Sequence, residues 1–138
     1  MPNVEQALCD TGPLVAFFDA DDSAHEECRA AFSAFEGRLV TTWPVLTEVF
    51  HLLPDRSHRT PLWQFILSAG IEIAEVTLSE LPRMRSLMDQ YADLPMDFAD
   101  ASLVLLSERL KVRRVFSLDR RDFLVYRPRH ARAFDIVP

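Results

Sequence analysis

Long apolar runs are missing from this sequence of 138 residues. No stretch reaches the roughly 18 consecutive apolar residues that mark a transmembrane helix. The N-terminal residues 1–5 also lack the basic block and the apolar block of a secretory signal. These absences argue against a membrane protein and a secreted protein, so we expect a soluble protein of the cytoplasm.

Residues for a disulfide framework or a zinc site are also scarce. The two cysteines, Cys9 and Cys28, lack the paired spacing of zinc ligands, and two thiols make a weak case for a disulfide framework. The histidines form neither an HxxH nor an HExxH motif, which argues against a zinc peptidase. We therefore predict that both cysteines are buried thiols.

Apolar residues make up 49% of the chain, which is enough to build a core and excludes a disordered protein. The length suits one domain and is too short for two ordinary ones. No internal repeat and no Gly/Ser-rich linker divides the sequence. We expect a single globular domain that spans residues 1–138.

The net charge of -6 is distributed unevenly along the chain. Residues 1–108 carry 6 Arg and 18 Asp or Glu, whereas residues 109–138 carry 9 Arg or Lys and 3 Asp, so the two parts have net charges of -12 and +6. The basic part either binds a phosphate backbone or offsets the acidic body and meets a partner. The arginines concerned are Arg113, Arg114, Arg120, Arg121, Arg127, Arg129 and Arg132.

Patterns typical of strands and helices alternate along the chain. Strands are predicted over residues 4–9, 39–42, 71–76, 114–118 and 133–137. Helices are predicted over residues 14–18, from a capping box at Ser23 and Glu26 to Phe35, from Pro44 past Glu48 to Leu52, over 62–69, from a capping box at Thr77 and Glu80 to Tyr91, and from Met96 or Asp97 to Leu110; residues 54–61 are predicted to form a loop. This order indicates an α/β fold with a mostly parallel sheet flanked by helices, in which ligands usually bind beyond the carboxyl ends of the strands.

Four acidic residues lie where such a fold would bring them to one pocket. Asp10 follows the first strand and Asp119 follows the strand over 114–118, while Glu48 and Asp100 lie on helices beside the sheet. Clustered carboxylates repel one another, so the arrangement requires a divalent cation, and oxygen ligands favour Mg²⁺ or Mn²⁺. The predicted chemistry is metal-assisted hydrolysis of a phosphodiester. Taken singly, each acid also suits a turn, a helix terminus or an exposed helix face.

Four short segments carry a resemblance to a known family across nearly the whole chain. They are residues 8–14 (LCDTGPL), 41–49 (TTWPVLTEV), 97–104 (DFADASLV) and 117–123 (SLDRRDF). In this order and spacing, the chain resembles the PIN-domain family and, within it, the VapC-type toxins of bacterial toxin-antitoxin pairs. The resemblance implies a three-layer sandwich and a Mg²⁺-dependent endoribonuclease, with Mn²⁺ able to substitute.

The resemblance also implies roles for individual residues and partners. Asp10 and Asp100 would be the main metal ligands, Asp119 would complete the metal cage directly or through water, and Glu48 would hold or activate the attacking water. Thr11 would support Asp10 from outside the ligand set. A homodimer, an RNA substrate and a cognate antitoxin protein are the implied partners.

Several alternatives stay open at this point. Asp97, one helical turn before Asp100, is either a fifth acid of the site or a charge that suits the helix N-terminus. We leave Asp122 out of the site, because a salt bridge or turn contact with Arg120 or Arg121 is the simpler account. The site holds one ion or two. A catalytically idle PIN-like module that binds RNA or a protein is the alternative function, although such a module has no need of repelling acids.

Apolar side chains on the early helices either form an interface or fill the core. These ten residues are Phe17, Phe18, Phe32, Phe35, Trp43, Phe50, Leu52, Leu53, Trp63 and Phe65.

Overall fold

A five-stranded sheet forms the centre of the molecule in a computed structural model that describes residues 4–138. Residues 1–3, part of the N-terminal stretch considered above, lie outside the described residues. The strands are β1 (Gln6–Cys9), β2 (Arg38–Thr42), β3 (Glu72–Ala74), β4 (Arg114–Phe116) and β5 (Asp135–Val137). Their order is β3-β2-β1-β4-β5, and all four pairings are parallel.

Seven helices connect and cover the strands within the described part of the chain. They are α1 (Thr11–Phe18), α2 (His25–Ala34), α3 (Trp43–Leu52), α4 (Arg56–Leu67), α5 (Leu81–Gln90), α6 (Phe98–Leu110) and α7 (Arg120–Val125). Helix α1 packs against α2, α3 and α4, whereas α6 packs against α5, α3 and β2. The predicted α/β fold with a parallel sheet flanked by helices is confirmed. None of these helices is long and apolar enough to cross a membrane.

The core lies around β1 and α6. In β1, the central strand, Ala7, Leu8 and Cys9 are fully buried, as expected for a parallel strand covered on both faces. Every residue of α6 from Ala99 to Ser107 is buried, so the protein encloses this part of the helix on all sides. Both cysteines are buried free thiols, as predicted.

Two sequence predictions of local structure are wrong. The capping box at Ser23 does not form, because α2 begins at His25 without a side-chain cap. The segment 54–61 is not a loop, since α4 begins at Arg56 and includes Pro61. Its N-terminus is stabilised by Asp55, whose carboxylate accepts a hydrogen bond from the His58 backbone N–H.

The segment after β4, for which no element was predicted, forms helix α7. By contrast, the capping box of Thr77 and Glu80 is present and begins a short 3₁₀ turn that leads into α5. The helix from Asp97 is also as predicted, with Asp97 as its N-cap.

Most of the ten apolar side chains on the early helices are at least partly covered. Leu53 is buried, and Phe50 packs its ring against Trp63 with the ring centres 4.9 Å apart. Trp43, Leu52 and Trp63 remain exposed at 52%, 56% and 52%. The core therefore accounts for most of this set, and an interface has three large apolar side chains on α3 and α4 available.

Candidate active site

An acidic pocket of about 360 Å³ lies beyond the carboxyl ends of β1 and β4. The structure brings all four predicted acids together there. The backbone N–H of Asp10 donates to the carbonyl of Phe116, so the ends of the two central strands are joined directly at the pocket. The residues that line it are Asp10, Thr11, Gly12, Glu48, Asp97, Asp100, Leu118 and Asp119.

Asp10 is held by two hydrogen bonds at the junction of β1 and α1. One carboxylate oxygen accepts from the backbone N–H of Thr11 at 2.8 Å, and the other accepts from the hydroxyl of Ser117 at 2.8 Å. Only 7% of Asp10 is exposed. Burial raises the pKa of Asp10, the two hydrogen bonds oppose that rise, and the charges of Asp97 and Asp122 add to it. Asp10 is therefore fixed in orientation and costly to ionise without a nearby positive charge.

Asp100 lies in the first turn of α6 and is 8% exposed. The phenol of Tyr126 donates a hydrogen bond to its Oδ2 at 2.9 Å. Burial, followed by the charges of Asp10 and Asp97, raises the pKa of Asp100 to about 8. Near neutral pH this carboxyl group consequently binds a proton unless a cation takes the proton's place.

Asp119, which lines the pocket, is the N-cap of α7, and Asp122 lies in the first turn of that helix. The N–H of Asp119 donates to the hydroxyl of Ser117 at 3.0 Å, which ties the loop after β4 to the hydroxyl that supports Asp10. Burial, then the adjacent carboxyl group of Asp122, raises the pKa of Asp119 to about 6. One carboxylate oxygen each from Asp100, Asp119 and Asp122 lie within 4.8 Å of one another, a spacing that suits a shared cation.

The position of Asp122 corrects the sequence analysis, which left this residue out of the site. Among residues 4–138, no arginine, lysine or histidine nitrogen forms an ion pair with its carboxylate. The side chain instead faces Asp100 and Asp119, because the unpredicted helix α7 turns it towards them. The salt-bridge interpretation of Asp122 is therefore wrong.

Glu48 approaches the pocket from α3, on the opposite side from α7. It is half-buried, and burial, then the charges of Asp97 and Asp10, raises its pKa. No hydrogen bond within residues 4–138 restrains its carboxylate. Glu48 is thus less restrained than Asp10 and Asp100, and its pKa lies above that of an ordinary glutamate.

For Asp97, the sequence left two interpretations open, a charge at the helix N-terminus and a fifth acid of the site. It is the N-cap of α6, and its Oδ1 accepts from the N–H of Asp100 at 2.7 Å. It is also exposed and lines the pocket, where its charge raises the pKa values of Asp10, Glu48 and Asp100. The helix-terminal role is visible in the structure, and the ligand role remains a prediction.

The backbone N–H of Thr11 donates a hydrogen bond to Asp10, but the hydroxyl of Thr11 does not contact that acid. Its Oγ1 is buried at the pocket and has no hydrogen-bond partner within the described residues. Buried hydroxyl groups are normally satisfied, so this atom indicates a ligand or a water in the pocket. The surrounding donors are all oxygen atoms, the set that Mg²⁺ and Mn²⁺ prefer, so the residues present fit a hard divalent cation.

The seven arginines of the basic C-terminal part do not form one cluster. Arg114 begins β4, at the edge of the sheet opposite the pocket, and pairs with Glu5 and Asp135. Arg120 and Arg121 are the first residues of α7, directly after Asp119; Arg120 donates to backbone carbonyls of Ile136 and Pro138. Within residues 4–138, the guanidinium of Arg121 has no hydrogen-bond partner and is exposed. The positive charge available to a ligand at the pocket therefore comes from few of the seven.

Three supporting residues escaped the sequence analysis. Ser117, Tyr126 and Asp122 all contact the predicted acids. For Ser117, the one local signal in the sequence was its position at the end of a predicted strand, two residues before Asp119. Tyr126 carried no such signal, because its partner lies 26 residues away in sequence.

The sequence of the chain is similar to those of known proteins. The model of the PIN domain family matches residues 7–127. Ribonuclease VapC26 from Mycobacterium tuberculosis is 26% identical over 134 residues, which cover 95% of this chain and 99% of that protein.

Two solved structures share the fold. The sarcin-ricin-loop-cleaving toxin VapC20 from Mycobacterium tuberculosis has a TM-score of 0.73 and 20% identity, with 82% of this chain and 89% of VapC20 covered. A toxin-antitoxin complex from Klebsiella pneumoniae has a TM-score of 0.64 and 18% identity, with 96% of each chain covered. At these identities, the structural likeness supports the fold.

Proposed function

Because the chain belongs to the PIN domain family, we propose that it is a metal-dependent endoribonuclease that hydrolyses phosphodiester bonds of RNA. The observation that carries this proposal is the pocket itself. Asp10 and Asp100 are both buried, and burial, together with the charges of neighbouring acids, raises the pKa of each, so ionising them is costly. A bound divalent cation removes that cost, and no basic side chain within residues 4–138 pairs with either carboxylate.

Mg²⁺ is the proposed ion, and Mn²⁺ is the proposed substitute. Asp10, Asp100 and Asp119 would hold it, with Asp122 as a further oxygen donor and Asp97 as an outer member. When bound, such an ion neutralises charge on the phosphate and lowers the pKa of a bound water. The Asp10 carboxylate is oriented before any ion binds, since Ser117 and Thr11 each donate a hydrogen bond to it.

Glu48 is the proposed acceptor of the proton from the attacking water. A general base works best with a pKa near the working pH, and the pKa of Glu48 is raised in that direction. Glu48 and Asp119 both line the pocket of about 360 Å³, and the proposed position of the reacting phosphate is between them. Arg121, which is exposed and lies two residues after Asp119, is the proposed contact for a flanking phosphate.

The proposed biological role is that of the toxin in a toxin-antitoxin pair, acting in the cytoplasm. The similarity to Ribonuclease VapC26 extends over almost the full length of both chains and supports this role. A cognate antitoxin protein and a second copy of the chain are the proposed protein partners. The exposed side chains of Trp43, Leu52 and Trp63 offer apolar surface for such contacts.

The test in solution is RNA cleavage by purified protein with Mg²⁺ or Mn²⁺. We expect Asp10→Asn to abolish cleavage while the chain stays folded, because the substitution removes a charge without changing shape. Asp21→Asn, an exposed aspartate outside the pocket, is the matched control and should cleave like the wild type. Unchanged cleavage by Asp10→Asn would show that the site is wrong.

The toxin role has a separate test in a bacterial host. Expression of the wild type should arrest growth and degrade RNA, whereas expression of Asp100→Asn should do neither. If neither protein is toxic and the purified wild type cleaves no RNA, the alternative of an idle binding module is correct.

A further inference from the structure

Tyr126 is a buried tyrosine whose hydroxyl contacts Asp100, one of the acids that line the pocket. It is fully buried, and its hydroxyl donates to Oδ2 of Asp100 at 2.9 Å. The ring is held on two sides, by Tyr91 and Phe123, with ring centres 5.1 and 5.2 Å away in edge-to-face arrangements. Its position is therefore set by the core, and the position of the hydroxyl follows from it.

The same residue also fixes the end of α7. The backbone N–H of Tyr126 donates to the carbonyl of Asp122 at 3.0 Å and so closes the last turn of the helix that carries Asp119 and Asp122. Tyr126 thus contacts α6 through its side chain and α7 through its backbone. The three carboxylates that lie within 4.8 Å of one another belong to these two elements.

We propose that Tyr126 is a positioning residue, which fixes the orientation of the Asp100 carboxylate, and its distance from Asp119 and Asp122, for binding of a divalent cation. This inference rests on the proposed function. Groups that hydrogen-bond to metal-binding carboxylates orient them and change metal affinity by about 10-fold to 100-fold when removed. Tyr126 satisfies that description for Asp100, because its phenol is the side-chain donor to that carboxylate within residues 4–138.

Tyr91 provides a matched control within the same cluster. It is also buried, and its ring packs against that of Tyr126. Its hydroxyl, however, accepts a hydrogen bond from the backbone N–H of Arg127 at 2.9 Å and contacts no acid of the pocket. Tyr91→Phe and Tyr126→Phe therefore remove the same atom from neighbouring core positions, and they differ in whether that atom touches Asp100.

The experiment is a calorimetric titration of Mn²⁺ into each folded protein without RNA, together with thermal unfolding. We expect Tyr126→Phe to weaken Mn²⁺ binding about 10-fold or more, and Tyr91→Phe to leave it within about twofold. If wild type and Tyr126→Phe bind Mn²⁺ equally, the positioning role is wrong and the proposed function stands. If the wild type binds no Mn²⁺, both are overturned.

A second pair of variants separates orientation from folding. Tyr126 replaced by 4-aminophenylalanine keeps a hydrogen-bond donor at the para position, whereas 4-fluorophenylalanine keeps a substituent there without a donor. We expect the amino variant to bind Mn²⁺ nearly as tightly as the wild type, and the fluoro variant to match Tyr126→Phe. Equal affinities for the amino and fluoro variants would overturn the proposal even if Tyr126→Phe fails to fold.

Discussion

Three side-chain hydroxyl groups lie at the acids of the pocket, and two of them donate hydrogen bonds to these acids. Ser117 and Tyr126 each donate to a buried carboxylate, whereas the hydroxyl of Thr11 lies at the same pocket with no partner within the described residues. A buried hydroxyl without a partner lowers stability, because it loses its hydrogen bonds to water and gains none from the protein. We infer that its partner is part of the bound ligand.

A comparison of two buried threonines tests this difference. In metal-free protein, Thr11→Val should leave the free energy of unfolding unchanged or raise it by about 1 kcal/mol, because it removes a buried hydroxyl that has no partner. Thr41→Val should lower it by about 1 kcal/mol, because the Thr41 hydroxyl donates to the carbonyl of Cys9 at 2.8 Å. Urea unfolding in the presence of a chelator measures both values.

The same two variants should rank in the opposite order for metal binding. We expect Thr11→Val to weaken Mn²⁺ binding and Thr41→Val to leave it unchanged. If Thr11→Val destabilises the metal-free protein as much as Thr41→Val does and binds Mn²⁺ normally, its hydroxyl is structural.

The acids could be found in the sequence, whereas most of their supports could not. Asp10 and Asp119 follow strand patterns directly, so the rule that ligands bind at carboxyl ends of parallel strands was sufficient. The bond from Ser117 to Asp10 joins residues 107 positions apart, so the sequence shows a hydroxyl at a strand end but not the acid that it contacts. Asp122 was missed because its flanking arginines suggested a salt bridge that does not form.

At the scale of elements, α6 has an N-terminus that serves two purposes. Asp97 caps it, and the charge of Asp97 raises the pKa of Asp100 one turn later. Asparagine caps helices as well as aspartate does, whereas alanine does not. The cap and the charge can therefore be separated by substitution.

We expect Asp97→Asn to leave the thermal midpoint unchanged or higher, because the cap stays and a repelling charge is lost. Asp97→Ala should cost about 1 kcal/mol through the lost cap. If Asp97 acts on the ion only as a nearby exposed charge, Asp97→Asn should weaken Mn²⁺ binding by no more than about fivefold. A loss as large as that of Asp100→Asn would identify Asp97 as a ligand.

The elements that sequence patterns missed have physical explanations. Helix α7 has six residues and begins with two arginines and an aspartate, so it lacks a repeating apolar stripe. Its formation depends on burial of Phe123 and Tyr126 against the rest of the core. The start of α4 was hidden by Pro61, which normally marks a helix boundary, yet the cap at Asp55 places this proline inside the helix.

For the whole molecule, the acidic pocket makes metal-free stability depend on pH. The pKa of Asp100 is raised to about 8 and that of Asp119 to about 6, both above the value of about 4 expected in the unfolded chain. Between these values the folded protein binds protons that the unfolded chain releases, so the free energy of unfolding falls as pH rises. The window runs from about pH 4 to about pH 8.

Thermal unfolding in a chelator should therefore give a midpoint at about pH 8.5 that is lower than at about pH 5.5, by about 3 °C or more. Saturating Mg²⁺ should raise the midpoint mainly at the higher pH, because the ion replaces the protons. Asp100→Asn should flatten the profile in chelator, since it removes the group with the highest raised pKa. A midpoint that rises across this window in metal-free protein would contradict the assignment of these acids.

We propose that the acids at the carboxyl ends of β1 and β4 hold a divalent cation on which RNA hydrolysis depends. The most direct measurement is the rate of RNA cleavage by protein stripped of metal with a chelator, as Mg²⁺ is added back. We predict no cleavage before addition and a rate that rises to saturation with Mg²⁺ in the wild type. Cleavage at full rate in the chelator, without added ion, would contradict the claim.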